Sequence, residues 1–447
     1  MTNFTNNNIV WLVDATTYTK SLDSRLKGMK QVFYSLKSLA KKCKELDTVL
    51  YSDKTFSAGL LRIATILDSN GYEVYYVHIE KAIEALLNDT YPMPNIVAFS
   101  AVCPTVDLCS EFTNFIKNIN PNVKAVIGGP QAFVAPNTLK KRYKAFDDVI
   151  SESDCNAASR VVGRVVTYDQ GGNFLNYRLL PDNINKYCLN IATYLGCEYS
   201  CGFCIEPLMP KQIMPLDGGI TSFLSELVPN KLIHVCDTSL GGSYFRALRV
   251  LEEMRMINHN KFLSCDLRYD FIDENTIIGL KKAGFVEVNI GIDSYNSSIS
   301  GKATFAEMTR RLQMIRKYSN LYVSVYLVSG LPGYDHEQFI LNKDMISILY
   351  GERLVDQIKH HIYVPYPTDH NHKYNSKVII ATDDWTKYDR QSFPVYRLQT
   401  MDSDEIWEWY LEIERHINDK WRESLGKTKE EIQAEPTHID YNLAYYK

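Results

Sequence analysis

The sequence predicts an α/β fold with two domains and a helical C-terminal extension. Short apolar, β-branched runs alternate with amphipathic helical patterns from residue 9 to about residue 365, as is typical of strands buried on both faces of a parallel sheet. The alternation stops once, over residues 156–187, where Gly171, Gly172 and Pro181 occur and periodicity is weak. We therefore predict a linker there between two series of strands.

Composition limits the class of protein. The chain has 447 residues, 45% hydrophobic and 23% charged, which is ordinary for a globular protein and excludes a disordered chain, a collagen or a coiled coil. The net charge of −4 argues against a nucleic-acid partner. The N-terminus MTNFTNNN has no basic region and no apolar run approaches the ~20 residues of a membrane span. These features predict a cytoplasmic protein with no membrane partner.

Residues 1–155 are predicted to form a doubly wound, Rossmann-like domain. Helical patterns end at Gly71 and at Pro121, which are helix stop signals. Ligands of such sheets bind at the carboxyl ends of the strands, where Ser100 and the pair Gly128 and Gly129 lie. The five predicted strands are 9–15, 73–79, 96–102, 124–130 and 147–153.

Residues 188–370 are predicted to form a partial (β/α)6 barrel, because six strands alternate with helices such as 275–285. Chemistry in such barrels lies on the loops that follow the strands. The predicted strands are 188–195, 232–239, 261–268, 286–293, 321–330 and 357–366.

The last segment, 371–447, is predicted to be a mainly helical extension. Its helix spans 403–419, with Ser403 as the expected cap. The apolar face of that helix is predicted to contain Ile406, Tyr410, Ile413 and Ile417.

Ten cysteines occur, and three of them cluster as Cys197, Cys201 and Cys204 in a C-x-x-x-C-x-x-C loop after the first barrel strand. Three thiolates on one loop can bind three irons of a [4Fe–4S] cluster and leave the fourth iron open. A structural zinc site usually needs four ligands, and no fourth cysteine lies nearby. A degenerate zinc loop or three unrelated thiols remain alternatives.

This cysteine spacing, with Phe203 before the third cysteine, resembles the signature of the radical S-adenosylmethionine (SAM) enzymes. The resemblance implies that the open iron binds the amino and carboxylate groups of SAM. It also implies that the reduced cluster cleaves SAM to a 5′-deoxyadenosyl radical, which abstracts hydrogen from an unactivated carbon. An electron donor such as flavodoxin or ferredoxin would be a partner.

The resemblance continues through residues 267–294, 329–339 and 361–369, and it implies roles for several side chains. Arg268 resembles the basic residue near the SAM carboxylate, and Asp293 stands where the family often has a glutamate. An ordinary ion pair between Arg268 and Asp293 is the alternative. Of the adjacent His360 and His361, at most one is expected to face the barrel interior, and a satisfied core histidine is favoured over a catalytic base.

Two further segments resemble parts of the family that contact SAM. Asp237 and Thr238 stand where other members meet the SAM amino group. Gly330 and Pro332 are expected to border the adenine, although a plain turn would also explain them.

Residues 9–155 resemble the cobalamin-binding domain that often precedes such a barrel. The resemblance implies that Gly128 and Gly129 allow a corrin or its nucleotide tail to approach the backbone, with the hydroxyls of Ser100 and Thr105 at the same rim. The family's D-x-H-x-x-G loop is absent: residues 14–19 read DATTYT, and no histidine precedes residue 78. Cobalt therefore has no histidine ligand from that loop. Loss of cobalamin binding is the alternative.

Together these features predict a cobalamin-dependent radical SAM enzyme that methylates a small metabolite or a peptide. A cyclase, ring-rearranging enzyme or epimerase is the first alternative, and an epimerase would need a hydrogen donor such as Cys236 or Cys265. For both thiols, the role of a small buried hydrophobe is the favoured explanation. A non-catalytic metal-binding protein is the alternative of another class.

Overall fold

The structure is a computed structural model that describes residues 9–15, 56–168, 175–187, 189–214, 216, 224–225, 227–229, 231–257, 260–370 and 375–426. The N-terminal elements are β1 (Ile9–Asp14), α1 (Ala58–Ser69), β2 (Glu73–His78), α2 (Ile79–Asn88), β3 (Ile96–Ser100), α3 (Val106–Ile119), β4 (Lys124–Gly128), α4 (Pro130–Val134), α5 (Pro136–Arg142), β5 (Asp148–Val149) and α6 (Asp154–Val162).

The N-terminal sheet is parallel throughout, with strand order β2-β1-β3-β4-β5. This confirms the predicted doubly wound domain, and the order reverses between β1 and β3, which places the ligand crevice at their carboxyl ends. All six residues of β1 are buried, as its uninterrupted apolar run requires in the middle of a sheet. Helix α6 packs on α1 and crosses the predicted boundary at residue 155.

The second region contains a six-stranded parallel sheet whose strands follow in chain order, which confirms the predicted partial barrel. Its strands are β6 (Leu189–Ile191), β9 (Leu232–Val235), β10 (Phe262–Leu267), β11 (Phe285–Asp293), β12 (Tyr322–Ser329) and β13 (Gln357–Ile362). Its helices are α7 (Tyr244–Ile257), α8 (Glu274–Lys282), α9 (Ser297–Ser300), α10 (Phe305–Tyr318) and α11 (His336–Gly351).

The predicted strand 188–195 is divided in two. Only β6 joins the barrel, whereas β7 (Tyr194–Leu195) pairs antiparallel with β8 (Gln212–Ile213). The buried carboxylate of Asp237 causes the division, because it accepts hydrogen bonds from the backbone N–H groups of Thr193 (2.6 Å) and Tyr194 (3.0 Å). The small hairpin of β7 and β8 consequently brackets the cysteine loop.

The C-terminal extension contains β14 (Ile379–Ile380), β15 (Tyr396–Arg397) and α12 (Ser403–Ser424). The predicted helix is present, but the cap assigned to Ser403 was wrong. Asp402 has the extended backbone of a cap, and its carboxylate accepts from the N–H of Glu405 (2.9 Å) in a reciprocal capping box. The predicted apolar face is confirmed, since Ile406, Tyr410, Ile413 and Ile417 are all buried.

Asp369 and Asp383, which follow the last barrel strand, contact the N-terminal domain. The Asp369 carboxylate accepts from the backbone N–H groups of Asn137 (2.6 Å) and Thr138 (3.0 Å), at the start of α5. Arg142 at the end of α5 forms an ion pair with Asp383 (2.6 Å). These contacts hold the carboxyl ends of both sheets toward each other. In the part of the chain covered by the structure, no helix is both long enough and apolar enough to cross a membrane.

Candidate active site

The cysteine loop lines a cavity of about 440 Å³ at the carboxyl ends of the barrel strands, here called the barrel cavity. Cys197, Cys201 and Cys204 all face it and are half-buried, and Phe203 lies on the same wall. The volume is typical of a small-molecule site. The structure therefore brings together the three predicted ligands and the aromatic residue between them.

Two thiols of the loop are affected by burial. Burial raises the pKa of Cys204 to about 12 and also raises that of Cys197, so both are protonated until a metal competes for them. Among the described residues, no three Cys, His, Asp or Glu side chains converge on a single metal ion. A cluster instead distributes its thiolates over several irons.

Arg268 lines the barrel cavity, and its role near the SAM carboxylate stays a prediction. Its guanidinium carbon lies 3.4 Å from the centre of the Tyr199 ring, and its Nε donates to Asp270 (2.8 Å). The alternative in which Arg268 pairs with Asp293 is wrong, because Asp293 is paired with another cation.

That cation is Lys302, which no sequence pattern had indicated. Lys302 forms an ion pair with the Asp293 carboxylate and also donates to the carbonyl of Gly291 (3.0 Å). Asp293 has a φ of 64°, in the left-handed region, and the pairing of β11 with β12 shifts register beside it. The strand is therefore irregular where Asp293 enters the cavity lining, and Lys302 reaches the same cavity from a later loop.

Asp237 does not line either cavity, contrary to its assigned role near SAM. Its side chain is fully buried, and its oxygens also accept from the hydroxyl of Thr193 and the N–H of Gly241 (2.7 Å). Burial raises the pKa of this carboxyl, although these hydrogen bonds oppose the shift. The neighbouring Thr238 does line the barrel cavity and donates to Glu206 (3.1 Å).

Gly330 and Pro332 are also outside the cavity lining. The hydroxyl of Tyr396 donates to the carbonyl of Gly330 (2.6 Å), and Pro332 is buried. Gly330 has a φ of 73°, and a Cβ at this position would lie 2.3 Å from the Tyr396 hydroxyl oxygen. The glycine is therefore explained by the packing of the C-terminal extension.

The two adjacent histidines face opposite ways, as predicted. His360 is buried and forms hydrogen bonds of 2.7 Å with Ser329 and with Glu414, so it is a satisfied core residue. His361 faces the barrel cavity and stacks on Tyr326 with ring centres 6.0 Å apart. Burial lowers the pKa of His361 to about 3, which keeps its ring neutral.

A second cavity of about 420 Å³, here called the interdomain cavity, lies between the N-terminal sheet and the barrel. Ser100, Gly128 and Gly129 line it, as predicted. Gly129 has a φ of 92°, and a Cβ would lie 2.7 Å from the backbone nitrogen of Ala101. Gly129 therefore packs tightly against the end of β3, and this turn forms the rim of the cavity.

Thr105 is not part of that lining. Its hydroxyl donates to the carbonyl of Val102 (3.0 Å) and accepts from the Val102 N–H (3.2 Å), within a tight turn. The loop 14–19, which was predicted to lack the cobalt-binding histidine, lies mostly outside the described residues. Only its first two residues, Asp14 and Ala15, are described. No histidine lines the interdomain cavity in the described part of the chain.

Cys236 and Glu206 line both cavities. Cys236 follows β9, and its side chain is accessible from the cavities. Because the surrounding protein shields the thiol from bulk water, its pKa is raised to about 12. Its sulfur therefore carries a proton. Cys265, the other proposed hydrogen donor, is fully buried and faces neither cavity.

Comparison with known proteins gives matches for both domains. Residues 51–162 match the family model described as B12 binding domain. No curated protein matches the chain.

Solved structures match most of the chain. The radical SAM methyltransferase TsrM from Kitasatospora setae, with cobalamin and a [4Fe–4S] cluster bound, is 14% identical with a TM-score of 0.55, over 79% of this chain and 75% of that one. TsrM with tryptophan and a SAM analogue bound is 15% identical, with a TM-score of 0.54 over 80% and 74% of the chains.

A third structure is the cobalamin-dependent SAM radical enzyme OxsB with aqua-cobalamin. It is 14% identical with a TM-score of 0.51, over 76% of this chain and 52% of that one. At these identities the likeness is one of fold. The chain therefore contains a B12-binding domain followed by a barrel with the fold of the cobalamin-dependent radical SAM enzymes.

Proposed function

We propose that the protein is a cobalamin-dependent radical SAM enzyme that methylates an unactivated carbon of a small metabolite or a peptide. The observation that carries this proposal is the meeting of two cavities at Cys236 and Glu206. One cavity holds three cysteines on a single loop, and the other lies in the crevice of the B12-binding domain. A substrate bound where the two cavities meet could contact groups held in either cavity.

The residues present fit the groups that this function requires. Cys197, Cys201 and Cys204 would hold a [4Fe–4S] cluster, and Arg268 lies on the same wall for the SAM carboxylate. The rim at Gly129 would accept the corrin of cobalamin or its nucleotide tail. When bound, the cluster and SAM supply a carbon-centred radical, and cobalamin supplies a transferable methyl group.

The protein's own residues position these groups and exclude water. The ion pair of Lys302 with Asp293 fixes one charged wall of the barrel cavity, and the pair of Arg268 with Asp270 fixes another. Contacts of Asp369 and Asp383 with α5 connect the two domains. Enclosure between connected domains favours radical chemistry because it keeps reactive species from solvent.

Product analysis tests the proposal. The protein is reconstituted without oxygen with iron, sulfide and hydroxocobalamin, and is incubated with SAM and a strong reductant. Formation of both 5′-deoxyadenosine and S-adenosylhomocysteine is expected, because radical generation gives the first product and methyl transfer gives the second. Absence of both products contradicts the proposal.

Radical chemistry without methylation is the second candidate, and the position of Cys236 supports it. The protonated thiol of Cys236 faces both cavities, so it can donate a hydrogen atom to a substrate radical. One electron from the electron donor and one proton from solvent then convert the thiyl radical back to the thiol. This candidate yields 5′-deoxyadenosine without S-adenosylhomocysteine. A non-catalytic metal-binding protein would take up zinc and yield neither product.

A further inference from the structure

One wall of the barrel cavity has no role in the proposed binding of the cluster or SAM. It is formed by Tyr326, His361, Tyr366 and Arg390 and is here called the aromatic wall. Arg390 belongs to the C-terminal extension, and its backbone carbonyl accepts from the N–H of Ile362 (2.8 Å) at the end of β13. Although the arginine is surrounded by protein, its side chain is exposed to the cavity.

Arg390 differs from the other two cations that line the cavity. Arg268 is paired with Asp270, and Lys302 is paired with Asp293. Arg390 has no ion pair with any carboxylate of the described residues. The adjacent Asp389 is engaged locally, since its carboxylate accepts from the N–H of Gln391 (2.8 Å). Arg390 lines the cavity and forms no ion pair among the described residues, so its guanidinium is available to an anionic ligand.

The neighbours of Arg390 are suited to the same ligand. Tyr366 lines the same cavity and lies close enough to Arg390 to interact with its charge. The Nδ1 atom of His361 is buried and has no hydrogen-bond partner. Because this ring is neutral, it can donate one hydrogen bond without repelling the arginine. The wall therefore places a cation, a phenol and a neutral imidazole ring around one space.

We propose that the aromatic wall binds a carboxylate of the substrate, with Arg390 as its main partner. A guanidinium matches a carboxylate in a bidentate arrangement, and the aromatic rings beside it offer a surface for an apolar or planar body. This assignment rests on the proposed function, because it takes the Arg268 wall as the site of the SAM carboxylate. It deepens that function by naming the substrate as an anionic small molecule or a peptide with a free carboxylate.

The test compares head groups on one small ring. Phenylacetate, phenylacetamide and phenyl phosphate are titrated into the reconstituted holoenzyme by calorimetry. The variants are Arg390→Gln, Arg390→Lys and, as a matched control, Arg397→Gln, whose side chain is exposed on β15. The iron content and thermal midpoint of each variant establish that it is folded and loaded.

The wild type and Arg397→Gln are expected to bind phenylacetate about tenfold or more tightly than phenylacetamide, because only the carboxylate forms a charge-assisted hydrogen bond with Arg390. Arg390→Gln is expected to lose this preference, and Arg390→Lys to keep part of it. Tighter binding of phenyl phosphate than phenylacetate overturns the assignment, as does a preference retained in Arg390→Gln or no binding of phenylacetate to the wild type.

The binding test is separate from turnover. If the wild type shows the head-group preference but does not cleave SAM, the proposed function fails and the carboxylate site stands. If it cleaves SAM but shows no preference, the carboxylate site fails and the proposed function stands.

Discussion

The two cavities differ in how they are built. The barrel cavity is lined by charged and nucleophilic side chains, of which Arg268 and Lys302 are already paired. The interdomain cavity is mostly apolar, and its rim is backbone at Gly128 and Gly129. The barrel cavity thus presents three cations and the three thiols of the cysteine loop to its ligands, whereas the glycine pair of the interdomain cavity presents backbone. Substitutions in one cavity should therefore spare the ligand of the other.

Substitution of the cysteine loop is expected to separate the two ligands most strongly, because it should remove iron and leave cobalamin bound. Replacing Cys197, Cys201 and Cys204 together by alanine should reduce iron from about four per chain to almost none and abolish SAM cleavage, while cobalamin is still bound. Cys155→Ser is the control, since Cys155 lines neither cavity. Iron analysis and visible spectra measure both losses. Loss of cobalamin in the triple variant would show that the cavities are not independent.

The converse change is Gly129→Val. The added side chain meets the backbone of Ala101 and demands a positive φ, so cobalamin binding should fall at least tenfold while the iron content is preserved. A destabilisation of about 1–3 kcal/mol is expected from the strained backbone. Gly351→Ala is the control, because a Cβ there meets nothing within 4 Å. Unimpaired cobalamin binding by a folded Gly129→Val protein contradicts the role of this rim.

The variants of Asp237 and Thr238 compare the stability contributed by a buried carboxylate with that contributed by a neighbouring residue of the cavity. Asp237→Asn should lower the free energy of unfolding by about 2 kcal/mol, because an amide cannot accept from all of the donors that Thr193, Tyr194 and Gly241 present. The neighbouring Thr238→Val removes one bond to Glu206 and should cost about 1 kcal/mol or less. Chemical denaturation measures both. Equal losses of unfolding free energy would mean that Asp237 does not anchor the hairpin of β7 and β8.

The smallest effect concerns the aromatic wall. The pKa of His361 is lowered to about 3 in the folded protein, so between about pH 6.5 and pH 3 the unfolded chain binds the extra proton and stability falls as the pH falls. The slope from this group is at most about 1.4 kcal/mol per pH unit. His361→Gln should reduce the loss of stability between pH 6.5 and pH 5, and the exposed His336→Gln should not. Identical pH profiles for wild type and His361→Gln contradict the buried neutral ring.

The sequence was sufficient to predict what depends on local pattern. Apolar runs such as β1 located the strands, and the spacing of Cys197, Cys201 and Cys204 located the barrel cavity. The alternation of side chains along β13 also predicted that His360 and His361 would face opposite ways.

Contacts between distant segments could not be predicted in this way. Gly330 was assigned to adenine because nothing local reveals that Tyr396 fills the space beside it. Arg390 lies in an irregular segment beyond the barrel, and Lys302 lies in a loop after α9, so no periodicity directs either side chain inward. Asp237 follows a barrel strand, where a catalytic role is common, but its oxygens are taken by backbone donors.

The visible spectrum and metal content of the wild-type protein, reconstituted without oxygen with iron, sulfide and hydroxocobalamin, test the central claim most directly. The two cavities predict about four irons and one cobalamin per chain, with both chromophores retained after gel filtration. A protein that retains only zinc, or that loses all of its cobalamin on the column, would contradict the account.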